Sequence, residues 1–234
     1  MKISRGLAAL ILTLLFQTTL LAEYLYKDDV IHNPNFNIEV EKLGKELYEK
    51  TGISLRLVML RELPNDMNIA QYEKELIKDF SEPTILLTFA ELNSKVDILT
   101  NDASLYKYFN RKQVLSPVAS PVQAFLMAAV YANNWEDFKV MSGDSGGTIL
   151  PLLAGKAKDN QQKGKYSGSM YNGYLDIAEQ IAISKGVELE NAAGNANKNS
   201  ILVVKIIFYG IILIGIFMYI KRKLFFRRQK LEQK

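Results

Sequence analysis

The sequence predicts an α/β fold: a small mixed β-sheet with helices packed on it, a helical second half, and one C-terminal transmembrane helix. Three observations carry this prediction. Helical and strand-like apolar spacings alternate from residue 27 onward, two apolar segments between Pro83 and Thr100 are joined by a short polar turn, and residues 201–220 are apolar apart from Lys205. A strand, a helix and a second strand followed by a hairpin give parallel and antiparallel pairing in one sheet.

The elements follow in chain order. Residues 1–22 carry Lys2 and Arg5, an apolar run from Gly6 to Phe16, and a polar stretch ending at Ala22. That order is a secretory signal peptide, with an apolar core of about 11 residues, too short to span a bilayer. Cleavage after Ala22 and retention as an uncleaved anchor both remain open. In Asn37–Lys50, apolar residues Ile38, Val40, Leu43 and Leu47 recur at helical steps, and Gly52 stands where a left-handed cap ends a helix. Ile53–Leu60 is short, apolar and bounded by glycine and proline, hence a strand. Asn68–Phe80 is again helical, with Asn68 as its cap and Tyr72, Leu76, Ile77 and Phe80 inward. Pro83–Ala90 and Lys95–Thr100 are strands joined by Glu91–Ser94. Asp102–Phe109, Pro121–Asn133, Thr148–Ala157 and Ser169–Lys185 read as helices, and the polar stretch Asp159–Tyr171 as a loop. The exported domain is thus 23–186, and 187–200 is a linker.

Residues 201–220 are twenty long, about the 30 Å of a hydrocarbon core at about 1.5 Å per residue. Lys205 lies one turn from the outer end, where its amine reaches the interface. Lys221, Arg222, Lys223, Arg227 and Arg228 follow the span directly and hold the tail 221–234 in the cytoplasm. The expected location is therefore the inner or plasma membrane, single-pass, with the domain periplasmic or otherwise extracytoplasmic and membrane lipid around 201–220.

The composition narrows the chemistry. The 234 residues include no cysteine and one histidine, His32, which excludes disulfides, thiol nucleophiles and multi-histidine metal sites. The net charge of +4 is unevenly spread: residues 23–199 hold 19 basic and 24 acidic residues, or −5, while residues 200–234 carry +7. The basic excess is topogenic, and a mildly acidic domain argues against a nucleic-acid partner.

Gly143-Asp144-Ser145-Gly146-Gly147-Thr148 matches the segment around the nucleophile of chymotrypsin-like serine proteases, and His32, Asp97 and Ser145 even occur in that order. The context differs: His32 lies about ten residues into the exported chain, and the domain is not all-β. The alternative is a tight loop before a helix near Thr148, whose backbone amides are a candidate anion-binding loop. Asp28, Asp29 and Asp102 are candidate hard-oxygen ligands for Ca²⁺ or Mg²⁺.

A secretory signal, a helix ending in Thr51-Gly52, the strand Leu55–Leu60, a helix, the strand Ile85–Phe89, a turn into Val96–Ile98 and a C-terminal anchor together resemble the TPM-domain family, over roughly residues 27–140. The family is named for a thylakoid lumen protein, a photosystem II repair protein and an acetylcholine-receptor modulator. The chain has Thr100-Asn101-Asp102-Ala103 where the family has a glycine-rich turn. The resemblance implies a binding or maintenance module for envelope proteins. Through family members described as acid phosphatases or calcium binders, it also implies a weak metal-assisted phosphatase as the alternative, using the acidic loops, with Asp28, Asp29 and Asp102 as the metal or phosphate site, and the Gly143–Thr148 turn. Serine hydrolysis through Ser145 is the third reading.

Overall fold

The computed structural model describes residues 23–64, 67–192 and 206–223. The expected signal segment 1–22, Lys205, Arg227 and Arg228 lie outside the described residues. The fold is α/β with a four-stranded mixed sheet in the order β1-β2-β3-β4. Strands β1 (Leu25–Asp28), β2 (Ser54–Leu60) and β3 (Thr84–Ala90) are parallel, and β4 (Lys95–Thr100) is antiparallel to β3. Two crossovers, α1 (Pro34–Thr51) and α2 (Ile69–Leu76), link the parallel strands.

Local chemistry sets the boundaries. Helix α1 starts at Pro34, three residues before its apolar spacing becomes visible, because the Asn33 side chain accepts from the Asn35 amide and proline fits the first helical turn. It stops at Gly52, whose φ of 70° belongs to the left-handed cap. Asn68 and Gln71 form a reciprocal capping box on α2. Strand β1 escapes the sequence pattern because it has only four residues, two of them exposed.

Both faces of the sheet are covered, which is why β2 and β3 are buried along their whole length. On one face, Ile69, Tyr72, Leu76, Phe80 and Leu99 pack against the cluster of Val58, Leu60, Leu86 and Ala90. The other face carries α1 and α7 (Gln162–Lys185). There the Phe89 and Tyr166 rings lie 5.2 Å apart, and the buried Tyr174 hydroxyl donates to the Leu55 carbonyl at 2.8 Å. Burial holds that phenol well above its ordinary pKa, so it remains a donor. Gly44 permits the closeness of the layers, since a Cβ there would stand 2.4 Å from both the Tyr174 hydroxyl and the Tyr24 ring.

The second half is helical, as the sequence predicts: α3 (Arg111–Val114), α4 (Pro121–Tyr131), α5 (Trp135–Gly143), α6 (Leu150–Leu153) and α7. The helix expected over Thr148–Ala157 shrinks to the four residues of α6, with Gly155 just beyond its end. The polar stretch read as a loop over Asp159–Tyr171 is instead a 3-10 turn, Asp159–Gln161, running into α7. Gly164 and Gly168 lower its helix propensity, but buried Met170 and the Tyr166 contact with the sheet recruit it to the core. The packed chain also continues past residue 186: the Glu46 carboxylate accepts from the Glu190 amide at 2.5 Å and from the Asn191 amide at 2.8 Å.

The chain forms two compact units, Met1–Asn191 and Ala192–Lys234. In the second, α8 (206–223) exposes every described residue except Gly210, which is intermediate. Among the described residues no helix is long and apolar enough to cross a membrane; the expected span begins at 201, and residues 201–205 lie outside them.

Candidate functional site

Two side-chain caps build one wall of a concavity of the domain. Asp102 caps a 3-10 helix, Ala103–Tyr108, through the Ser104 amide at 2.8 Å, and that hydrogen bond holds its carboxyl below the usual range. Asn110 then caps α3 through the Gln113 amide at 3.1 Å. The segment is fixed to α7 by Asn110 N–H donating to Gln180 at 2.8 Å and by the Ser184 hydroxyl donating to the Tyr108 carbonyl at 3.0 Å.

Between them lies a shallow open groove of about 900 Å³, lined by residues 106–112 of the capped segment and by Gln180, Ile183 and Ser184 of α7. No carboxylate or imidazole is among the lining side chains, whereas Lys107, Arg111 and Lys112 are. The Lys107 ammonium lies 4.8 Å, and the Lys185 ammonium 4.5 Å, from the centre of the Tyr108 ring. Lys185 first, and then Lys107, lower the Tyr108 pKa. On a domain of net charge −5 this is a local cationic and aromatic surface, suited to an acidic chain segment.

Behind the groove sits a buried carboxyl. Arg111 donates to the Ile98 carbonyl at 2.9 Å and pairs with Asp97. Asp97 is the cross-strand partner of Thr88 on the face covered by α2. Glu73 of α2 enters the same cluster, wholly inaccessible, and neither its oxygens nor the Thr88 hydroxyl reach good hydrogen-bonding geometry. Burial pushes the Glu73 carboxyl up to about 8; the neighbouring Thr88 hydroxyl and Arg111 pull it down less strongly, and Asp97 adds to the rise. Glu73 is therefore protonated at neutral pH. Its signal in the sequence is its place inside the inward stripe Ile69, Tyr72, Leu76 and Phe80, a carboxylate at an apolar position. The groove has a signal too, the interleaved basic and aromatic run Tyr106–Lys112.

The sequence-derived acidic candidates do not converge: Asp28 and Asp29 lie at the β1 edge of the sheet, and Asp102 follows β4 at the other. Asp28 accepts from the amides of Val30, Ile31 and His32 at 3.1, 2.7 and 2.7 Å, shaping the exit from β1. Asp29 pairs with Lys27 at 3.1 Å. Asp102 lies across the sheet at the far end of β4, so that three strand spacings, about 14 Å, separate its edge from theirs. Among the described residues no group of three His, Asp or Glu side chains is placed to hold a metal. His32 and Asp97 likewise belong to opposite edges, and Asp97 is engaged by Arg111.

The Gly143–Thr148 segment is a structural joint. Gly143 ends α5 and Asp144 caps it, while Ser145 and Gly146 turn the chain toward α6, Gly146 with φ 87°. The Gly147 amide donates to the Val118 carbonyl at 3.0 Å and the Thr148 amide to the Val114 carbonyl at 3.3 Å, so these two amides are occupied. Gln113 bonds the Gly146 carbonyl, Asp176 accepts from Gln113 at 3.1 Å and from the Thr148 hydroxyl at 3.0 Å, and Gln180 donates to Gln113 at 2.8 Å. The four-residue α6 is too short to supply a helix dipole.

Compared with models of known families the chain matches none, and no curated protein matches it.

Proposed function

We propose that this chain is an exported, single-pass membrane protein. Its TPM-like α/β domain is an extracytoplasmic binding module for envelope proteins, and it docks an acidic segment of its partner in the Tyr106–Lys112 groove. The observation that carries the reading is that groove, cationic and aromatic, free of lining carboxylates, on a domain that is otherwise acidic. Support for anchorage comes from α8, whose fifteen residues from Ile206 to Ile220 are apolar or glycine and end at Lys221, Arg222 and Lys223.

The full chain, carrying a photo-crosslinking residue at Tyr108 and embedded in its native membrane, is expected to capture an envelope protein. The double charge reversal Lys107→Glu and Lys112→Glu is expected to abolish that capture. Capture unchanged by the reversal would reject the groove, and repeated failure to capture any protein would reject the binding module. A reporter fused after Lys234 should be active only in the cytoplasm; activity outside would overturn the orientation.

A further inference from the structure

Helices α4 and α5 form a hairpin with an inverted distribution of side chains. The buried residues of α4 are Ala124 and Ala128, while Phe125, Leu126, Val130 and Tyr131 are 54, 58, 72 and 67% exposed. Helix α4 has no charged residue and a single polar side chain, Gln123. On α5, Trp135 and Val140 are 67 and 59% exposed, and no residue is buried. Phe138 stacks on Trp135 at 5.2 Å and meets the edge of Phe125 at 5.5 Å, tying the two helices together.

Small residues buried and large apolar residues outward is a distribution suited to surroundings of hydrocarbon rather than water. At about 1.5 Å per residue, α4 is about 16 Å long and cannot span, and the turn after it, Asn133-Asn134, is polar. Tyr131 and Trp135, which flank that polar turn, are side chains suited to headgroup level. Residues 121–143 hold Glu136, Asp137 and Lys139, too little charge for attachment by electrostatics. Nine residues lead from Ala192 to the expected span at 201, at most about 32 Å when fully extended, so a bilayer holding residues 201–220 is within reach of the domain.

We infer that the α4–α5 hairpin is a second, interfacial membrane contact, seated in the boundary between headgroups and acyl chains. This rests on the membrane-anchored reading of residues 201–220. The absence of cysteine makes the test direct. Single variants Val130→Cys, Leu92→Cys and Phe217→Cys of the full chain, spin-labelled and reconstituted in phosphatidylcholine vesicles, report collisions with oxygen and with a water-soluble nickel chelate. Leu92, in the β3–β4 turn, is the aqueous reference, 60% exposed.

The oxygen-to-nickel collision ratio is expected to be several-fold higher at Val130 and Phe217 than at Leu92. A lipid-like Val130 with an aqueous Phe217 would still support the interfacial hairpin while rejecting the span. An aqueous Val130 with a lipid-like Phe217 would overturn this inference and leave the anchor standing; both aqueous would overturn both. A Val130 label shielded from both reagents would mean that protein covers the hairpin, and would also overturn it.

Discussion

Glu73, Glu46 and Gly147 each test a different residue-level claim. Glu73 has a folded-state pKa near 8 against an ordinary value of 4.5, so the folded chain holds its proton more tightly. The domain is then most favoured by this group below pH 4.5 and loses that advantage as pH rises toward 8. At about 1.4 kcal/mol per pH unit, Glu73→Gln is expected to add up to about 3 kcal/mol at pH 7 and to flatten the pH dependence of urea unfolding. Glu46 works in the opposite direction. Burial alone would raise its pKa, but hydrogen bonds from Lys50, Asn191 and Glu190 outweigh it and bring the carboxyl down to about 2. Its contribution is complete above pH 4.5 and fades as pH falls toward 2, so the protection of the Glu190 and Asn191 amides, taken relative to their intrinsic exchange rates at each pH, should fall on acidification and in Glu46→Gln at neutral pH. At Gly147 a Cβ would stand 1.8 Å from the Ser116 carbonyl oxygen. Gly147→Ala is expected to cost about 3 kcal/mol and Ser145→Ala less than about 0.5, measured by thermal unfolding. Equal costs would contradict the reading of the glycine-rich segment as a joint.

The elements themselves were unequally legible in the sequence. Strands β2, β3 and β4 and helices α1 and α2 announce themselves because apolar spacing, caps and turn residues agree there. The start of α7 does not, since its glycines and polar residues oppose a helix until tertiary packing is counted. Strand β1 is too short to carry a pattern, and α5 opens on Asn134 and two acids, which read as surface loop. Only one wall of the groove leaves a trace in the sequence, the run Tyr106–Lys112; Gln180 and Ile183 come from an element about 70 residues beyond Tyr108, and no spacing rule joins them. Helix α7 also supplies a test of layer packing. Tyr174→Phe would leave the buried Leu55 carbonyl without this donor, at an expected cost of about 1–3 kcal/mol in denaturant unfolding.

For the whole molecule, charge and compactness divide the chain at nearly the same place. The compact unit ending at Asn191 takes in most of the acidic segment 23–199, and the basic excess lies beyond it. If the basic residues set orientation, neutralising Lys221, Arg222, Lys223, Arg227 and Arg228 together should let a fraction of a C-terminal reporter appear outside, whereas neutralising Lys107 and Lys112 should not. The position of α7 has a temporal consequence. It is the last helix of the domain, and its Tyr174, Ile177, Ala178 and Ile181 lie fully buried on the α1 side of the sheet. Until residue 185 has emerged, the apolar side chains of β2 and β3 on that side lack the cover that α7 gives them. The nascent domain is thus held from committing to its final state until nearly all of it has been synthesised, so that a truncation before residue 174 should leave a chain without a settled core.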